Sequence, residues 1–200
     1  MAFIKVFLSL SLALLLVACS TDPATSFYLL KAVEPRDIKQ KIPQLKYITV
    51  LVNPIKFPEY LDRPQMVIRD SAYKFQLNEH HRWAEPLKNE FTRVFIQNLN
   101  SRIMPNQALV YSEPHGTHPN INLSIEVLRL DINTDNQAVL SIKWAYWVGQ
   151  ETTYIKWLKY EDYVPVKIKS YESRVEAQSE AIALFTDYVV ATIPQFIMTR

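Results

Sequence analysis

The chain has 200 residues but only two glycines, Gly116 and Gly149, beside twelve prolines and a single cysteine, where average usage of about 7% would give roughly fourteen glycines. Dinucleotide and P-loop phosphate cradles both need closely spaced glycines and cannot be written here, while one cysteine excludes an internal disulfide, a CxxC redox pair and a cysteine-rich zinc site. With 48% hydrophobic residues and a net charge of +2, the composition predicts one globular core and gives no electrostatic case for a nucleic-acid partner.

Met1 to Ala18 carries Lys5 and then an apolar run from Val6 to Ala18, ahead of Cys19. That is the order of a secretory signal peptide, and the run is shorter than the roughly 20 residues that cross a bilayer. Leu16-Val17-Ala18-Cys19 resembles the lipobox of bacterial lipoproteins, which implies removal of residues 1–18 and acyl chains on Cys19 as the only attached group; no other cofactor is expected. Two or three acyl chains anchor stably where one binds marginally, at about 0.8 kcal/mol per buried CH₂. In Gram-negative lipoproteins an Asp after the lipidated cysteine favours inner-membrane retention. Ser20 in that place implies anchoring at the periplasmic face of the outer membrane. Residues 19–26 are polar, contain Pro23 and read as a lipidated tether, and 27–200 read as a single domain.

Thr25 to Leu30 and Tyr47 to Asn53 read as strands, with Pro35 and Pro43 bracketing a charged connection between them. Gln65 to Arg69 and Tyr73 to Leu77 predict a hairpin around Asp70-Ser71-Ala72. Pro86 suits the first turn of a helix from about Glu85 to Arg102, whose apolar stripe is Leu87, Phe91, Val94, Phe95, Asn98, Leu99 and Ile103. A strand at Ala108 to Tyr111 and a loop with Pro114, Gly116 and Pro119 follow. Ile121 to Ile132 alternates, and its apolar phase switches near Val127-Leu128, where a bulge is expected. Asn133 to Asn136 turns into a strand from Gln137 to Val148, and Gly149-Gln150-Glu151 into another from Thr152 to Tyr163. A last helix, Tyr171 to Thr192, aligns Val175, Ile182, Phe185, Val189 and Ile193, with Pro194 closing it or bending the chain out. The expected fold class is α+β, a single layer of mostly antiparallel sheet with two main amphipathic helices packed on one face.

Sites for chemistry are sparse. His80-His81 lie in a strand and point to opposite faces, while His115-x-x-His118 with Glu113 nearby lies in a Pro-rich loop, a weak zinc or copper signal that reads better as a solvated loop, so no metal site is expected. No G-x-S-x-G elbow exists, and no catalytic residue is expected. Aromatic rings are denser: Trp144, Tyr146, Trp147, Tyr154, Trp157, Tyr160 and Tyr163 fall within twenty residues. They read either as core with cross-strand ladders or, through Trp147 and Trp157, as a partner or lipid-contact surface. Between Pro58 and Pro64, Tyr60-Leu61-Asp62-Arg63 forms an ordered corner, with Arg63 either pairing Asp62 locally or docking a partner carboxylate.

Pro58-x-Tyr60-Leu61-Asp62-Arg63-Pro64-Gln65, followed by Arg82-Trp83-Ala84-Glu85-Pro86-Leu87 at the helix start, resembles the signature of PqiC (YmbA)-type ABC-transport auxiliary lipoproteins. The resemblance spans essentially the whole mature domain. It implies a non-enzymatic accessory that works with a PqiB-type MCE-domain protein and, indirectly, a PqiA-type inner-membrane protein, in lipid transport between membranes that supports envelope integrity. Of functional residues it carries over Cys19; Tyr60, Leu61, Asp62, Arg63 and Trp83 are motif matches open to a structural or an interfacial role. The alternative is a stand-alone periplasmic lipid-binding lipoprotein using the aromatic sheet face. Self-association into a homo-oligomer through aromatic edge strands also stays open.

Overall fold

The computed structural model of the protein describes residues 23–35, 47–103, 109–112, 119–147 and 157–198. The signal segment, Cys19 and its lipobox, the loop holding His115 and His118, the Gly149 turn and Tyr154 lie outside the described residues. Eight strands are described: β1 Ser26–Tyr28, β2 Thr49–Val52, β3 Gln65–Arg69, β4 Phe75–Trp83, β5 Leu109–Tyr111, β6 Ile121–Ile132, β7 Gln137–Trp147 and β8 Leu158–Pro165. Two helices accompany them, α1 Leu87–Ile103 and α2 Tyr171–Met198.

The strands form one mixed sheet in the order β1-β4-β3-β6-β2-β5, with β7 and then β8 continuing from the other edge of β6. Its long ladders, β6–β7, β7–β8 and β3–β4, are antiparallel, and the shorter β1–β4, β2–β5, β2–β6 and β3–β6 pairings are parallel. The architecture is the expected α+β arrangement of a sheet with two helices.

Every stripe residue of α1 is buried, Asn98 included. The α2 stripe is buried likewise, and the helices share one aromatic seam in which Phe95 stacks on Phe185 at 5.6 Å. Trp144 of β7 meets Phe185 and Tyr188 of α2 edge-on at 6.2 and 6.1 Å. Such pairs add about 0.5–1.5 kcal/mol each beyond the burial of their area.

The phase switch in β6 is a bulge. Up to Val127 the odd-numbered residues pair with the helix-facing residues of β7, Leu123 with Tyr146 and Ile125 with Trp144; past a register shift between Val127 and Arg129 the even-numbered ones do, Leu130 with Leu140 and Ile132 with Ala138. Leu128 is the extra residue, which keeps apolar side chains on the helix face on both sides of it. The turn after β6 uses Asn136 in the left-handed region, φ 57°, a conformation Asn tolerates better than most residues.

Several boundaries differ from expectation, most of them by a residue or two, and three of the differences have a visible setting. β4 runs past Leu77 to Trp83, because its last three residues pair with β1. β8 ends at Pro165 rather than Tyr163. Pro194 does not end α2, which continues to Met198. The proline removes one main-chain donor, but Ile193 and Pro194 are both buried, and the Thr192 hydroxyl donates to the carbonyls of Tyr188 and Val189 at 3.0 and 2.9 Å. Packing thus overrides the local breaker. Among the described residues no helix is long and apolar enough to cross a membrane.

Candidate functional site

The corner between Pro58 and Pro64 is a detour in a split line of chain that runs beside β6. Beyond β2, Asn53 N–H donates to Leu123 O (2.8 Å) and Lys56 N–H to Ile125 O (3.0 Å), while Val127 N–H returns to Lys56 O (2.9 Å). β3 then rejoins the same edge at Ile68, opposite Ile132. The chain departs from β6 where β6 itself bulges. Pro58, at φ −71°, leads into a 3-10 turn over Glu59–Leu61, the conformation that its ring pre-sets.

Each motif residue in this corner has a definite place. The Tyr60 ring stacks on Phe75 at 4.8 Å, and its hydroxyl donates to Leu128 O at 3.3 Å. Leu61 is core. Asp62 closes the turn through its main-chain N–H, which donates to Glu59 O at 3.0 Å. Arg63 is half-buried, with Nε lacking a hydrogen-bond partner. Pro64 O accepts the N–H of Trp83 at 2.7 Å, and the Trp83 ring is buried. The two sequence motifs therefore meet in space, and the side chains of Leu61 and Trp83 face the core.

A charged cluster supports the corner from the sheet face opposite the helices. Asp131, whose side chain has no exposure, accepts from Arg129 Nη2 at 2.8 Å and from Arg69 Nη2 at 3.2 Å. Arg69 also lies over the Phe75 ring, 4.5 Å from its centroid. Burial, with Asp131 next in weight, pushes the Tyr60 phenol up to about 12. It therefore remains a hydrogen-bond donor at any physiological pH. On the same sheet face the Ser141 hydroxyl donates to Glu161 at 3.1 Å and the Tyr163 hydroxyl donates to its other oxygen. The Tyr163 bond is the main cause holding the Glu161 carboxyl below its ordinary range.

The second feature is a groove of about 820 Å³ between the N-terminal strap, the first half of α2 and the end of β8. The first part of the strap is β1, laddered to β4, and past Tyr28 it is held by side chains. Leu30 N–H donates to Glu90 Oε2 (2.6 Å), Lys31 N–H to Ser179 Oγ (3.1 Å) and Val33 N–H to Asn98 Oδ1 (2.9 Å). These bonds place Phe27, Leu29 and Lys31 along one wall, against Glu172, Glu176 and Glu180 of α2. Glu90 is buried, and desolvation pushes its carboxyl above the ordinary range. Arg102 of α1 ties the far end, donating to Val33 O at 3.2 Å and pairing with Asp187 of α2.

Beside this groove His81 stacks face to face on Tyr171, centroids 3.5 Å apart, and the Tyr28 hydroxyl bonds its Nδ1 at 2.7 Å. Desolvation lowers the His81 pKa. A neutral ring accepting through Nδ1 fits that direction. Among the described residues no group of three or more His, Cys, Asp or Glu is arranged to hold a metal.

The aromatic-dense stretch turns mostly inward. Trp144 is buried, and Tyr160 packs on Phe185 at 5.2 Å and on Tyr188 at 5.2 Å. Trp147 is half-buried on the opposite face, paired with Asn122, and Trp157 is 46% exposed. Trp147 and Trp157 thus stand apart from the aromatic seam under the helices. Sequence reading passed over Glu90, Asp131 and the His81 stack. Local pattern gave little signal: Asp131 falls on the polar phase of an alternating strand, between Leu130 and Ile132, and Glu90 follows Lys88 and Asn89 beside the Leu87–Phe91 stripe.

The family described as ABC-type transport auxiliary lipoprotein component matches residues 28–190. A crystal structure of an uncharacterized protein aligns with a TM-score of 0.71 at 18% identity, covering 86% of this chain and 99% of that one. The crystal structure of protein XCC0632 from Xanthomonas campestris aligns with a TM-score of 0.68 at 13% identity, covering 87% and 98%. At these identities the likeness is one of fold. No curated protein matches the sequence.

Proposed function

This chain belongs to the family of ABC-type transport auxiliary lipoproteins, and on that premise we propose that it is an outer-membrane-anchored periplasmic docking subunit of a PqiABC-type intermembrane lipid transport complex. The observation that carries the proposal is the family match over residues 28–190. The lipobox ending at Cys19, with Ser20 behind it, supports placement at the outer membrane. The partner is a PqiB-type MCE-domain protein, with a PqiA-type protein reached through it, and transport energy is coupled in other subunits. The chain acts by holding and positioning rather than by covalent catalysis. Its corner is fixed at both ends by main-chain bonds, to β6 and to Trp83, which suits a rigid surface for a partner.

Cross-linking of intact envelopes followed by purification of the lipoprotein tests the docking role. Recovery of an MCE-domain partner is expected, and its absence from the cross-linked material overturns the proposal. Cys19→Ala tests the anchor separately: the variant should remain unprocessed or leave the membrane fraction, and unchanged lipidation refutes the lipobox assignment.

A further inference from the structure

We propose that the rim of the groove beside β1 is a membrane-contact surface that seats the domain against an anionic phospholipid bilayer. The inference rests on the lipid-anchor reading and adds to it a second, non-covalent attachment. Three apolar side chains are left in the open there: Phe27 at 65%, Leu29 at 51% and Ile168 at 70% exposure. Phe27 and Leu29 alternate along the strap with Tyr28 and Leu30, so they share its outer side with Lys31. Lys167 lines the same groove as Phe27, Leu29 and Lys31. Ile168 follows it in sequence, with Lys169 next, in a tight turn where Ser170 N–H donates to Ile168 O at 2.7 Å. Turns of this kind ordinarily carry polar residues, and an open isoleucine between two lysines has no packing role.

The pattern suits the boundary between headgroups and acyl chains. Apolar tips can enter, while lysine stems lie along the apolar zone and hold their ammonium groups at the phosphates. Position supplies the occupant. β1 begins seven residues after Cys19, so a fully extended tether keeps the rim within about 25 Å of the lipid anchor. The acyl chains already anchor the chain, so basic and apolar contacts at the rim would fix the orientation of the domain on the surface. The α2 wall carries Glu172, Glu176 and Glu180, which an anionic surface repels. The bilayer therefore meets the lysine rim and does not fill the groove.

Cys19 is the chain's one cysteine, so its acylation leaves an introduced cysteine as the single free thiol. The full lipidated chain carrying Phe27→Cys, Ile168→Cys, Glu176→Cys or Tyr73→Cys would be labelled with an environment-sensitive fluorophore. It would then be reconstituted in vesicles of phosphatidylethanolamine and phosphatidylglycerol containing nitroxide-labelled lipid. Tyr73 is fully exposed on the β3–β4 turn and serves as the reference. Labels at 27 and 168 should shift to the blue and be quenched, and labels at 73 and 176 should remain as in water. A chain that floats with the vesicles while 27 and 168 behave like 73 overturns the contact surface and leaves the anchor standing. A chain that does not float overturns both. Protection of 176 together with 27 means a lipid or peptide ligand inside the groove, and overturns rim seating.

Discussion

The hydroxyl of Tyr60 donates to the main-chain oxygen of Leu128 at 3.3 Å, and Leu128 is the residue that the β6 bulge leaves without a cross-strand partner. A bulge orphans main-chain groups, and a buried carbonyl without a donor is costly. The corner motif answers that cost with a side chain from the detour that the bulge faces. Tyr60→Phe keeps the ring on Phe75 and removes the donor. It should destabilise the domain by about 1–2 kcal/mol, read as a lower urea midpoint with unchanged slope. A midpoint equal to that of the wild type would show that the bond contributes nothing.

How far this arrangement could be read beforehand follows from the range over which each signal acts. The α1 stripe was legible because all its determinants lie within one helix, and the β6 bulge because an alternation that changes phase is visible along one strand. The split line of β2 and β3 along β6 was not. Strand partners are chosen by long-range pairing, and nothing local in Val50 or Ile68 names Ile121 or Ile132 as neighbour. The Pro58–Pro64 corner was legible as a turn, but its partner Leu128 lies 68 residues away in sequence. Strand alternation alone was also blind to His81, whose Tyr171 and Tyr28 partners come from α2 and β1.

Asp131 should be the most sensitive single carboxylate. It is fully buried between Arg69 and Arg129, whose side chains keep 20% and 28% exposure. Asp131→Asn leaves two guanidinium groups facing one another without their anion. The cost should be about 3 kcal/mol, the low end for a broken buried pair because water still reaches both arginines. The double variant Arg129→Met/Asp131→Leu removes one arginine together with the carboxylate and should recover part of that loss. Equal stability of the single and double variants would mean that the ion pairs do not govern the effect.

Glu90 gives a pH dependence with a definite sign. Burial raises its carboxyl in the folded protein, so its contribution is complete below the ordinary carboxyl range and is lost as pH rises through the folded value. In Glu90→Gln the titration disappears, and one of the two N–H donors, from Leu30 or Glu85, faces an amide NH₂ instead. The variant should be less stable at neutral pH by about 1–3 kcal/mol, and the gap should widen as pH falls towards 5. Urea midpoints of both proteins at pH 7.5 and pH 5 measure this. A gap that widens instead on the alkaline side contradicts the raised carboxyl.

His81 titrates in the opposite sense. Its pKa in the folded protein is lowered, chiefly by desolvation, so the folded state binds its proton less readily than the unfolded chain. The contribution is therefore complete above the ordinary value of 6.5 and is lost as pH falls through the folded one. His81→Phe keeps a ring stacked on Tyr171 and removes the titration. The melting temperature of the wild type should thus fall more than that of the variant between pH 7.5 and pH 5.5, and the imidazole resonances should titrate below 6.5. A folded-state midpoint above 6.5 would reverse the sign. It would mean that Glu172, which raises the pKa, outweighs desolvation, and that protonation tightens the contact between β4 and α2 that the neutral ring now makes.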